Sequence, residues 1–129
     1  MSQENVEASS LRAVLPWRFQ RGLRGLTDDF EFVTASEMPD AGTYRGQEAR
    51  DWIRAYIDSF DGYAQEATEI LDAGDKLLVA VIQHGRPRGS DMPVESRWWQ
   101  VTTFRSGNVT RIEMFSERAQ ALDAAGLSE

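Results

Sequence analysis

The stretch "GTYRGQEARDWIRAYIDSF", residues 42–60, decides the fold reading. Ala49, Trp52, Ile53, Tyr56, Ile57 and Phe60 recur at steps of three and four, which makes one apolar stripe on a helix. Gly46 opens that helix, and Gln47-Glu48 place acid near its positive end. Asp61-Gly62 reads as the stop. The two glycines bracketing Thr43–Arg45 do not make a phosphate loop: the G-x-x-x-x-G-K-[ST] spacing is missing and there is no lysine. Gly42 reads as a turn residue and Tyr44 as an anchor.

Downstream the period changes from helical to alternating. Residues 64–73 read as a strand, and Gly74-Asp75 as its turn. Lys76 to Gly85 is a second strand, Val94 to Arg105 a third, and Val109 to Ser116 a fourth after a turn at Ser106-Gly107-Asn108. Connections this short favour antiparallel neighbours, so the second half reads as a four-stranded meander. Glu117 to Ala125 is a short helix closed by Gly126. Upstream, Asp29 to Thr34 is an earlier strand with Phe30 and Phe32 on one face. On the 76–85 strand Leu77, Val79 and Val81 alternate with Leu78, Ala80 and Ile82, so both faces should be covered. Helices can cover one. A loop, a terminal element or a second subunit must cover the other, and a homodimer through the sheet is the preferred expectation.

The chain has 129 residues, enough for one domain with its own core. It contains no cysteine and a single histidine, His84, which argues against disulfides, thiolate chemistry and a conventional structural zinc site. A net charge of −7 disfavours a nucleic-acid partner. The longest apolar run, Leu77 to Ile82, is too short for a membrane span, and "MSQENVEASS" lacks a secretion-signal pattern. A cytoplasmic location is the resulting expectation. Arg12, Arg18, Arg21 and Arg24 form a basic tract with Trp17 and Phe19, where short helices interrupted by Pro16, Gly22 and Gly25 are expected.

"DDFEFVTASEMPDAGTYRGQEARDWI", "ILDAGDKLLVAV" and "VESRWWQVTTFRSGNVTRIEMFSERAQALDAAGL" together resemble the nuclear-transport-factor-2-like superfamily, and within it the SnoaL-like subgroup of polyketide cyclases and ketosteroid isomerase-like proteins. The resemblance implies an α+β fold: a strongly curved, mainly antiparallel sheet forming a cone against helices, with an apolar pocket. It implies one domain over 1–129, with residues 1–27 as an atypical helical region and 28–127 as the core. The tract "SSLRAVLPWRFQRGLRGL" lacks the tyrosine and acid usual for the subgroup's first helix.

Fold does not fix function here. One expectation is a noncatalytic module that binds a small apolar or cyclic carbonyl ligand. The other is a cofactor-free isomerase, cyclase or dehydratase that abstracts a proton beside a carbonyl. His84 is the candidate base if its face lines the cone. Glu113, between Ile112 and Met114, is a candidate proton shuttle, and Arg97 a candidate holder of an enolate oxygen. Each has a plainer reading: His84 as a residue at a frayed strand end, Glu113 and Arg97 as members of cross-strand ion pairs. Tyr44, Trp52, Tyr56, Trp99 and Phe115 are the candidate pocket walls, although aromatic residues fill cores first. Neither metal nor cofactor is expected.

Overall fold

A computed structural model describes residues 25–38 and 40–127. The expected N-terminal helices and the basic tract up to Arg24 lie outside the described residues. Six strands and two helices follow in order: β1 (Gly25–Val33), β2 (Thr43–Arg45), α1 (Gly46–Asp58), β3 (Phe60–Asp72), β4 (Lys76–Pro87), β5 (Val94–Arg105), β6 (Asn108–Phe115) and α2 (Arg118–Ala124). They form one sheet in the order β2-β1-β6-β5-β4-β3. The β3 to β6 meander is antiparallel throughout, whereas β1 runs parallel to β6. The fold is α+β with a mixed, mainly antiparallel sheet.

Several boundaries differ from the sequence reading, and the short strand β2 has no counterpart in it. The strand expected from Asp29 begins at Gly25, so residues 25–27 belong to the sheet and not to a helical N-terminal region. The helix ends at Asp58 with Ser59 as its cap, and Phe60 opens β3 instead of completing the helical stripe. Phe60 still fits the three-and-four spacing because its ring packs back edge-on against Tyr56, with centroids 5.4 Å apart. Periodicity recorded the contact, and the chain makes it after leaving the helix.

The helix start also has a specific cause. Arg45 is the extended cap residue, and Gly46 follows with a φ of +58°, a conformation that side chains with a Cβ rarely adopt. A Cβ on Gly46 would stand 3.0 Å from the Asp28 carbonyl oxygen. Glycine is therefore needed both for the turn and for the approach of α1 to β1. Arg50 completes the junction by donating to the carbonyls of Leu26 and Thr27.

Irregularities bend the strands. Register shifts fall between Asp61 and Ala64, between Ala67 and Glu69 on β3, and between Thr103 and Phe104 on β5. An extra residue increases local twist and bends its strand, as a closing cone requires. The shift at Thr68 also reverses the phase. Ala67 packs with the inner cluster, whereas Glu69 reaches the outer side, where Arg118 of α2 pairs with it at 3.1 Å. The β5–β6 turn is one residue shorter than expected: Ser106 and Gly107 both have positive φ, as in a type I′ hairpin, and Asn108 already pairs with Arg105.

The core lies on both faces of the sheet. Inside, Phe30, Phe32, Ala49, Val109, Ile112 and Met114 form one buried cluster, and Leu77, Val79 and Val81 another. Outside, Leu78 and Val101 pack under Ala121, Leu122 and Ala125 of the terminal helix and its end. A terminal element therefore covers the outer face at Leu78. Helix α2 is fixed at its end by a paired cap: Leu127 N–H donates to Leu122 O at 2.8 Å and Gly126 N–H to Asp123 O at 3.1 Å.

Candidate functional site

Alternation decides what each strand presents to the hollow between α1 and the sheet. On β4 the odd residues turn inward, so Gln83 continues the row of Leu77, Val79 and Val81. On β5 Gln100 shares the inner side with Trp98, and on β6 Ile112 and Met114 do. Helix α1 contributes Trp52, Ile53, Tyr56 and Ile57, and β1 contributes Leu26 and Phe32. With Tyr63 and Gln65 of β3, these residues line a cavity of about 70 Å³. That is room for roughly five waters.

The cavity has one aromatic wall. Trp52 and Tyr56, one helical turn apart, stack with centroids 5.5 Å apart and planes 6° apart, and Phe32 lies 5.1 Å from Trp52. The facing side is polar but uncharged. The Tyr56 hydroxyl donates to Gln83 Oε1 at 2.8 Å, and the Tyr63 hydroxyl donates to Gln65 Oε1 at 3.3 Å. Burial raises the pKa of both phenols above the ordinary tyrosine value, with the neighbouring Tyr56 hydroxyl adding to the rise at Tyr63. Both tyrosines therefore stay neutral at physiological pH. No Asp, Glu, Lys, Arg or His lines the cavity among the described residues.

His84, Glu113 and Arg97 do not line it. His84 follows Leu78, Ala80 and Ile82 on the outer face of β4, mid-strand and not at a frayed end, since β4 continues to Pro87. Arg97 pairs in register with Ile82 and is exposed on the same outer face. Glu113 lies outside on β6, where Arg111 approaches it at 3.7 Å. Arg111 also reaches Glu31 at 3.3 Å, and Glu31 takes Arg45 at 2.7 Å, so a chain of ion pairs crosses three strands. Each inner neighbour of these residues faces the hollow, and alternation sends the residues themselves to the other side.

Of the expected pocket walls, Trp52 and Tyr56 line the cavity. Tyr44 stands behind them, 5.8 Å from the Trp52 ring, with its hydroxyl on the Asp40 carbonyl. Trp99 and Phe115 pack on the outer face with the α2 cluster. The sequence reading missed Tyr63, Gln65, Gln83 and Gln100. A usable signal existed for Gln83: a glutamine that continues a three-residue apolar row on a buried strand. No group of three or more His, Cys, Asp or Glu suited to a metal occurs among the described residues. None of their helices is long and apolar enough to cross a membrane.

A bent sheet closing over one amphipathic helix around an uncharged cavity defines a cone-shaped α+β class. The chain has the nuclear-transport-factor-2-like fold, as solved structures show. It is 25% identical to a nuclear-transport-factor-2-like protein from Burkholderia xenovorans over 97% of both chains, with a TM-score of 0.59. It is 18% identical to a ketosteroid isomerase-like protein from Catenulispora acidiphila, solved in complex with trimethylamine, over 99% of this chain and 96% of that one, with a TM-score of 0.63. It is 19% identical to a candidate SnoaL-like polyketide cyclase from Jannaschia sp. CCS1, over 98% and 94% of the two chains, with a TM-score of 0.59, so the SnoaL-like branch is represented among its structural relatives. No protein-family model matches the chain. No curated protein matches it.

Proposed function

We propose that this protein is a binding module whose cavity takes a small, uncharged, largely apolar ligand, with no catalysis assigned to it. The observation that carries this reading is the make-up of the walls: aromatic rings, aliphatic side chains and carboxamides, with no charged group among the described lining residues. Such a site rewards apolar area and one or two matched hydrogen bonds, and penalises a formal charge. The alternative, a cofactor-free isomerase, cyclase or dehydratase, needs a base within hydrogen-bond reach of a substrate in the cavity. His84 and Glu113 stand on the other side of the sheet, and the titratable groups at the cavity among the described residues are two neutral phenols.

The ligand would stabilise the fold by mass action, so thermal unfolding with toluene, cyclohexanone or trimethylamine tests the reading. Trimethylamine is included because the Catenulispora protein was solved with it. A rise in Tm with the neutral compounds is expected; no rise with any of them would sink the proposal. Proton exchange on cyclohexanone, measured by deuterium loss, would favour the catalytic alternative. A cytoplasmic homodimer, joined through the part of the outer face that α2 leaves uncovered, belongs to the same proposal. A scattering mass of twice 14.6 kDa would support the dimer and a mass equal to it would end it.

A further inference from the structure

The most informative side chain in the cavity is Gln100. It is only 8% exposed, it lies on β5 opposite Met114, and it lines the cavity. Its carboxamide has no hydrogen-bond partner among the described residues. Gln83 differs: its Oε1 is taken by the Tyr56 hydroxyl. A carboxamide carries an acceptor oxygen and an N–H donor in one plane, and burying both unmatched is costly. An occupant of the hollow that matched both would be favoured over one that matched neither.

We infer that the occupant is a planar, uncharged, single-ring molecule with a hydrogen-bond donor and acceptor side by side, as in a lactam or a hydroxy-enone, and that Gln100 determines this specificity. The inference rests on the binding reading above and narrows its ligand class. Four observations converge on it. The volume of about 70 Å³ favours a small ligand over a fused polycycle. The stacked Trp52 and Tyr56 favour a flat, largely apolar body. The absence of charged side chains among the described lining residues disfavours carboxylates and ammonium ions. The unmatched carboxamide asks for an acceptor and a donor on one edge, which a hydrocarbon or a simple ketone does not offer in full.

Three probes test it against the native protein by calorimetry: α-pyridone, its N-methyl derivative and toluene. N-methylation removes the donor and leaves the ring and carbonyl. Native protein is expected to bind α-pyridone about tenfold or more tightly than the N-methyl compound, the worth of one matched bond. Gln100→Met keeps the length and loses the amide, and it should erase that ratio while leaving toluene binding in place. Gln100→Asn keeps the amide but retracts it, and serves as a second variant should the first unfold. Equal binding of the two pyridones by native protein, with toluene also bound, would mean that water satisfies Gln100; that result overturns the inference and leaves the binding reading standing. A ratio unchanged in both variants overturns the role of Gln100. Failure of all three probes to bind overturns both readings.

Discussion

The Tyr56 hydroxyl donates to Gln83 Oε1 at 2.8 Å, linking the middle of α1 to the inner row of β4. Gln83 is 5% exposed, so a single bond joins the helix to a buried polar group across the cavity. It ties helix to sheet at the cavity's polar end.

Removing that donor should be felt as stability. Tyr56→Phe keeps the ring stack on Trp52 and deletes one hydrogen bond, leaving a buried carboxamide oxygen without its donor. A loss of about 1–3 kcal/mol is expected, at the upper end if no water enters. Urea unfolding measures it, and an unchanged midpoint would show that the bond contributes nothing.

The same phenol predicts a pH dependence. Burial raises the Tyr56 pKa above its unfolded value, and Tyr63 behaves alike. A raised folded-state pKa means that the folded protein holds protons the unfolded chain has released. The stabilisation is then complete below about pH 10, the ordinary tyrosine value, and is lost as pH rises through the folded-state values. Alkaline titration followed by tyrosinate absorbance should show two phenols ionising late, in step with unfolding. Tyr63→Phe should shift the unfolding limb to higher pH.

Gly46 and Gly74 both have positive φ, yet substitution should separate them. A Cβ on Gly74 meets nothing within 4 Å, whereas one on Gly46 meets the Asp28 carbonyl at 3.0 Å. Gly74→Ala should cost about 1–2 kcal/mol from backbone conformation alone. Gly46→Ala should cost more, because α1 must move away from β1. Equal losses in chemical denaturation would contradict the close approach.

His84→Ala and Glu113→Gln should leave toluene affinity unchanged, because both residues lie across the sheet from the cavity. Glu113→Gln weakens a partly exposed ion pair, so its effect on stability should stay below about 1 kcal/mol. Calorimetric binding checks both variants, and a large affinity loss in either would place its side chain at the ligand after all.

Most of the fold was legible in the sequence because it rests on local periodicity. The stripe from Ala49 to Ile57, the alternation along Lys76–Gly85 and the Ser106-Gly107 turn each depend on neighbouring residues only. The phase changes at Thr68 and Phe60 were not legible. A bulge reverses which side a strand's residues face, and it is set by the partner strand's register.

The candidate site followed the same division. The sequence determined that each strand carries two distinct faces, and which residues share one: Gln83 with Val79 and Val81, His84 with Ala80 and Ile82. Only the tertiary structure decided which face closes over the cavity, because that choice depends on where α1 and α2 dock from opposite sides of the sheet. Helix α1 claimed the odd face of β4, and with it the glutamines. Helix α2 packed over the outer face, the side on which the ionisable candidates lie. Alternation has no sign of its own, and long-range packing supplies it.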